Sequence, residues 1–134
     1  MIVFQKPGHD TITIRVLGDH TLEEALEAAK LIDPNAVVLD NPPADRILRN
    51  AWAFDGDAIA LDKIKAQNLI REKRNNALRA LDPKAVAADR GKDQLGLDLI
   101  NDDAARLRDI PQDIRFNGTD DDLKALYQEA EPTV

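Results

Sequence analysis

The chain has 134 residues, 43% hydrophobic and 32% charged, which fits one folded domain or a small module with a helical extension. It has no cysteine, so disulfides, thiolate zinc sites and cysteine nucleophiles are excluded. No apolar run approaches the roughly 18 residues of a membrane-spanning helix. The first residues also lack the basic start and apolar stretch of a secretory signal. We therefore expect a soluble, intracellular, acidic protein.

The net charge of −7 is unevenly distributed along the chain. Residues 1–62 carry 5 basic and 11 acidic side chains, and residues 80–134 carry 7 and 13. Residues 63–79 carry 6 basic side chains and 1 acidic one. An acidic surface repels phosphate groups at long range, so only the middle segment is a candidate for nucleic-acid binding.

Residues 1–40 have the pattern of a small β-β-α-β unit. A short strand at 2–4 is followed by a turn at 7–10 and by a strand at 11–17, in which apolar and polar residues alternate. Thr21 and Glu24 form a capping-box pattern that starts a helix ending near Ile32. Its predicted inner side chains are Leu22, Leu26, Ala29 and Ile32, and a short buried strand is predicted at 36–39.

Residues 41–62 contain a stiff Asn-Pro-Pro connector at 41–43 and a hairpin pattern. Asp55-Gly56 separates two alternating apolar runs, which is a strong short-range hairpin signal. The pattern places four apolar side chains on one face of this hairpin: Trp52, Phe54, Ile59 and Leu61.

The remaining residues are predicted to be mainly helical. A basic helix begins after the cap Asp62 and ends near Leu81, with Asp82-Pro83 starting a second helix that Gly91 closes. The inner residues of the first helix are predicted to be Ala66, Leu69, Ile70, Ala77, Ala80 and Leu81. A helix at 93–108 buries Leu95, Leu99, Ile100, Ala104 and Leu107 in this prediction. Pro111 interrupts the chain, Thr119 and Asp122 begin a short terminal helix, and residues 131–134 are expected to fray.

Together these elements predict an α+β fold. It comprises a small N-terminal α/β module at 1–40 and a hairpin-plus-helical region at 41–134.

The titratable residues give little support for catalysis. His9 and His20 have no partner at a ligand spacing, so both are interpreted as exposed turn residues. The run 120–122 is typical of a helix start, where carboxylates interact favourably with the dipole, more than of a cation site. Asp102 and Asp103 point about 100° apart on a helix and are interpreted as solvated. We expect no enzyme activity, no metal and no cofactor.

Two features allow a binding interpretation beside a structural one. The cations of helix 63–79 surround its apolar stripe, which favours a solvated helix facing acidic parts of the same fold. A docking surface for an acidic partner or for nucleic acid is the less favoured alternative. Trp52 is most simply a core anchor, although an aromatic beside Arg46 and Arg49 is also typical of a binding hot spot.

Part of the chain resembles small bacteriophage and prophage tail proteins. The similar residues are the run 43–52, then Asp55-Gly56, Ile59, Asp62, Lys65-Ala66, Arg71, Arg74 and Leu81-Asp82. The phrase Leu107-Arg108-Asp109-Ile110-Pro111 is similar to one found near the ends of tail fibre assembly proteins. The resemblance covers about residues 43–111.

The resemblance implies a non-enzymatic tail fibre assembly chaperone or accessory that binds the fibre in the host cytoplasm, with possible retention in the virion tail. The implied partner is the fibre or another tail protein, without membrane binding, and oligomers are possible. The candidate partner-binding residues are Arg46, Arg49, Trp52, Arg71 and Arg74. A structural virion component and a nucleic-acid-binding protein acting through helix 63–79 are the alternatives.

Overall fold

The computed structural model describes residues 2–5, 12–15, 21–39, 45–54 and 58–134. Strands come first and helices dominate the second half, so the predicted α+β class is confirmed. The chain forms two compact units, Met1–Lys65 and Ala66–Val134. The first unit thus includes the hairpin that the sequence grouped with the helical region. The predicted turn at 7–10, the connector at 41–43 and Asp55-Gly56 lie outside the described residues.

A three-stranded antiparallel sheet organises the first unit. Strand β1 (Ile2–Gln5) lies between β2 (Ile12–Arg15) and β3 (Val37–Val38). Val3 faces Ile14 on one side and Val37 on the other. Ile2, Val3 and Phe4 are at most 1% exposed, so the central strand is covered on both faces. The predicted β-β-α-β order is therefore confirmed.

Helix α1 (Leu22–Ile32) packs on this sheet through its small residues. Thr21 caps it by accepting a hydrogen bond from the Glu24 backbone at 3.2 Å. Ala25 and Ala29 are buried against Ile2 and Phe4, and their lack of bulk allows a close approach of helix and strand. At the other end, Asp33 accepts from the backbone N–H groups of Gln5 and Asn35, both at 3.0 Å. One carboxylate thereby joins the end of β1 to the end of α1.

The predicted hairpin forms between two three-residue strands. Strands β4 (Trp52–Phe54) and β5 (Ile59–Leu61) pair with Trp52 opposite Leu61 and Phe54 opposite Ile59. The four apolar side chains therefore share one face, as predicted, because directly opposite residues project to the same side of a sheet. The Asp62 N–H then bonds the Ala51 carbonyl at 2.7 Å, which closes the hairpin at its open end.

Helix α2 (Lys63–Arg90) is one continuous helix of 28 residues, so the prediction of a break at Asp82-Pro83 is wrong. Asp62 does cap its start, accepting from the Lys65 N–H at 3.1 Å. Pro83 lies inside the helix, where a proline costs about 3 kcal/mol. The helix continues because packing exceeds this local cost: Leu81, immediately before the Asp-Pro pair, is only 2% exposed.

A tight turn at 91–93 connects α2 to α3 (Gln94–Arg108). The Lys92 N–H bonds the Asp89 carbonyl and the Asp93 N–H bonds the Ala88 carbonyl, which is the pattern of a Schellman motif. The left-handed residue of this motif is Lys92, with φ of 54°, and not the glycine before it. Asp93 then caps α3 by accepting from the Gly96 N–H at 2.9 Å.

The segment after α3 contains two 3-10 turns, Ile110–Gln112 and Ile114–Asn117, and helix α4 (Asp120–Glu129). Thr119 and Asp122 exchange both capping-box hydrogen bonds, so the predicted helix start is confirmed. The acidic run 120–122 accordingly occupies the first turn of α4. Phe116, Leu123 and Leu126 are buried.

Four predicted inner residues are instead exposed: Leu22, Ala80, Leu95 and Leu99. On α3 the buried face contains Ile100, Asp103, Ala104 and Leu107. At about 100° per residue, Leu99 and Leu95 point about 100° and 140° away from Ile100, outside that face. Leu22 occupies the first position of α1, where less of the helix surface is covered.

Candidate binding surface

The segment before the hairpin is a tight turn with an unusual backbone. Asp45 accepts from the Ile47 N–H at 3.0 Å, and the Arg49 N–H bonds the Arg46 carbonyl at 3.1 Å. Leu48 has φ of 59° and ψ of 30°, the left-handed region that glycine normally occupies in such turns. Its side chain is 3% exposed, so burial holds a conformation that the backbone disfavours by about 1–2 kcal/mol.

Arg46 and Arg49 flank the buried Leu48 and are both exposed. Among the described residues, neither guanidinium has a hydrogen-bond or ion-pair partner. Trp52 follows at the start of β4 and is only 7% exposed, which agrees with the favoured interpretation of a core anchor. The turn therefore exposes the charges of Arg46 and Arg49, while the Trp52 indole is buried in the same unit.

The other two predicted site residues belong to the second unit, on α2. The Arg71 guanidinium lies over the Phe116 ring, 4.9 Å from its centre, and bonds Asn68 at 3.3 Å. Arg74 donates twice to the side-chain oxygen of Asn75, at 2.9 and 3.2 Å. The structure describes these two residues in one unit and Arg46, Arg49 and Trp52 in the other. A shared surface for all five stays a prediction.

A polar cluster centred on Asp103 was missed by the sequence analysis, which interpreted this residue as solvated. Asp103 is 5% exposed. It accepts from Arg106 at 2.8 and 3.0 Å, and from the Thr133 N–H and hydroxyl, both at 2.8 Å. Burial alone would raise the pKa of Asp103, but the hydrogen bonds from Thr133 and Arg106 outweigh it and hold the pKa below its ordinary value. The only sequence signal was the Arg106 three residues later.

Residues 131–134, here called the strap, are held in place, so the prediction that they fray is wrong. Besides the Thr133 contacts with Asp103, Arg106 donates to the carbonyls of Glu129 and Glu131 at 2.7 and 2.6 Å. Lys73 forms an ion pair with Glu131 at 3.0 Å. Long-range charged contacts fix the strap, and none of them follows from local sequence.

Lys73 also anchors the end of α4. Its ammonium group donates to the Tyr127 carbonyl at 2.7 Å and lies 4.3 Å from the centre of the Tyr127 ring. Lys73 and Arg71 are therefore occupied by contacts within the second unit. The Lys73–Glu131 ion pair agrees with the favoured interpretation, in which cations of the basic helix face acidic parts of the same fold, whereas Arg71 lies over an aromatic ring.

A second charged cluster joins the 3-10 segment to α4. Arg115 binds Asp113 through two hydrogen bonds at 2.9 and 3.1 Å and donates to Glu129 at 2.6 Å. Hydrogen bonds from the Arg115 side chain and backbone lower the pKa of Asp113. Hydrogen bonds to Asp113 and Glu129 raise the pKa of Arg115 above its usual range. These charges stabilise the local structure.

Over the described residues, no group of three acidic, histidine or cysteine side chains is arranged to hold a metal ion. In the same ranges, every buried side-chain polar atom has a hydrogen-bond partner. His9 and His20 lie outside them. None of the helices that the structure describes is both long enough and apolar enough to span a bilayer.

Compared with protein-family models, curated proteins and solved structures, the chain matches none. The resemblance of residues 43–111 to tail-associated proteins therefore remains a prediction from the sequence alone.

Proposed function

We propose that the protein is a non-enzymatic binding protein that assists phage tail fibre assembly. The proposal joins the sequence resemblance to one structural observation, the exposed Arg46 and Arg49 on a turn fixed by the buried Leu48. The partner is the fibre or another tail polypeptide.

The Arg46–Arg49 turn suits recognition of another protein for two reasons. Guanidinium groups bind carboxylates through paired hydrogen bonds. The guanidinium groups of Arg46 and Arg49 can do so without first breaking a hydrogen bond or ion pair with another described residue. The backbone of the turn is held by two hydrogen bonds and by burial of Leu48, so binding orders only the two side chains. Both features favour a preformed contact over a flexible one.

Nucleic-acid binding through helix 63–79 has less support. Lys73 is paired with Glu131 and bonded to the Tyr127 carbonyl, which takes one cation of helix 63–79 out of any phosphate-binding set. We expect no retention of the protein on DNA at physiological salt. A structural virion component would use the same Arg46–Arg49 turn, and differs only in staying bound after assembly.

Co-expression with a candidate tail fibre protein tests the proposal. The native chain should raise the soluble fraction of the fibre and co-purify with it. Replacing both turn arginines, as Arg46→Gln with Arg49→Gln, should abolish co-purification while the protein stays folded. The matched control is Arg90→Gln with Arg108→Gln, two exposed arginines elsewhere, which should bind the fibre normally.

A fibre that is equally soluble without the protein would refute the chaperone role. Equal loss in both double variants would show that overall charge, and not the turn, carries binding. Mass spectrometry of purified virions then separates the alternatives, because a chaperone is absent from them and a structural component is present at fixed stoichiometry.

A further inference from the structure

The strap lies in a polar groove of the second unit, formed by Lys73, Asp103 and Arg106. Much of its recognition addresses the backbone: Arg106 bonds the Glu131 carbonyl, Asp103 bonds the Thr133 N–H, and Lys84 bonds the Val134 carbonyl. Contacts of this kind accept any extended peptide. The groove is therefore built to hold a peptide backbone, whichever chain supplies it.

Two further contacts select side chains. Glu131 forms an ion pair with Lys73 at 3.0 Å, and the Thr133 hydroxyl donates to Asp103 at 2.8 Å. Together they select an acidic residue two positions before a hydroxyl residue. This spacing defines the chemistry of the peptides that the groove accepts.

The strap is held by polar contacts more than by apolar burial. Ala130 is fully buried, whereas Glu131, Thr133 and Val134 are all exposed. Local opening of such a segment breaks hydrogen bonds that water replaces and exposes little apolar surface. Opening of the strap is therefore expected to cost less free energy than unpacking of α4.

We propose that the groove is a peptide-binding site, occupied by the strap in the free protein and by an acidic, hydroxyl-containing segment of a partner protein in the complex. The strap then competes with the partner segment for the same groove. The proposal goes beyond the fibre-assembly function and does not depend on the Arg46–Arg49 turn.

The test uses the full chain and a labelled peptide with the sequence of residues 129–134, Glu-Ala-Glu-Pro-Thr-Val. A strap-loosened variant, Glu131→Gln with Thr133→Val, keeps every groove residue but removes both selective contacts. Fluorescence anisotropy should show peptide binding at least about tenfold tighter to this variant than to the native chain, because the weakened strap competes less. Glu72→Gln, an exposed carboxylate change on α2, is the control and should bind as the native chain does.

A peptide carrying valine in place of its threonine should bind the loosened variant at least about tenfold more weakly. A measurement without any variant is amide hydrogen exchange of the native chain, in which excess peptide should speed exchange of the Thr133 amide, which donates to Asp103. Equal binding to native and loosened chains, no binding to a folded loosened chain, or unchanged exchange would overturn the proposal. A dimer of the native chain held by exchanged straps would also overturn it, since a second copy would then be the occupant.

Discussion

Replacing Asp103 with asparagine should lower the free energy of unfolding by about 2–3 kcal/mol at pH 7. The carboxylate is 5% exposed and accepts four hydrogen bonds, two from Arg106 and two from Thr133. Asparagine keeps one acceptor but places an amide N–H₂ where a carboxylate oxygen accepts now. One donor of the cluster is then left unpaired.

The magnitude follows from the exposure of the two partners. Removing one member of a fully buried ion pair costs about 3–5 kcal/mol. Here the Arg106 side chain is 38% exposed, so water solvates part of its charge after the substitution. The cost therefore falls below that range, while the loss of the Thr133 contacts keeps it above that of an ordinary surface change.

Urea unfolding followed by circular dichroism measures this difference, and a pH series checks its cause. The pKa of Asp103 is lowered on folding, so its contribution is complete above its unfolded pKa, near the ordinary value of 3.8, and is lost as the pH falls through the lower folded value. The stability difference between native chain and variant should therefore shrink in acid below about pH 4. The control is Asp102→Asn, an exposed neighbour, which should cost less than about 0.5 kcal/mol.

A loss below about 0.5 kcal/mol for Asp103→Asn would refute this reasoning, because it would mean that the cluster is solvated. A difference that stays constant down to pH 2 would refute the electrostatic part alone.

Three further changes test local features by the same unfolding measurement. Pro83→Ala restores a backbone donor inside α2 and should stabilise the chain by about 1–3 kcal/mol; a loss of stability would favour two separate helices. Lys92→Gly relieves the left-handed residue of the α2–α3 turn and should add about 0.5–1 kcal/mol, whereas Lys92→Ala should change stability little. Thr119→Val removes the α4 cap and should cost about 1 kcal/mol, and a neutral result would mean that the capping box contributes nothing.

Local signals in the sequence predicted much of the fold. The caps at Thr21, Asp62 and Thr119 depend on residues three positions apart, and the shared face of the hairpin follows from the alternation of apolar residues. Such signals can be read directly, because the side chain and the backbone group that it bonds are neighbours along the chain.

Features decided by distant contacts were not predictable in this way. The local signal at Pro83 favours a break, and only the packing of the helix around it keeps α2 continuous. Asp103 and the strap become a cluster only because α3 lies beside residues 30 positions later. The left-handed Leu48 was likewise hidden, since nothing in the sequence marks a leucine for a position that glycine usually takes.

The sequence predicted one part of the candidate site and could not predict another. The sequence singled out Arg46, Arg49 and Trp52 together, and the structure places them in one unit with the arginines exposed and the indole buried. The sequence could not indicate that the Arg71 guanidinium lies over the Phe116 ring, 45 positions later along the chain. A contact between residues so far apart leaves no periodic pattern in the sequence.

The position of β1 constrains how the chain can be made and altered. This strand is early in the sequence but lies in the middle of its sheet, with β2 on one edge and β3 on the other. During synthesis the sheet cannot close until residue 38 has emerged from the ribosome. Deleting residues 2–5 would separate β2 from β3 instead of trimming an edge, so affinity tags attached at this end need a linker that leaves both sides of β1 free to pair.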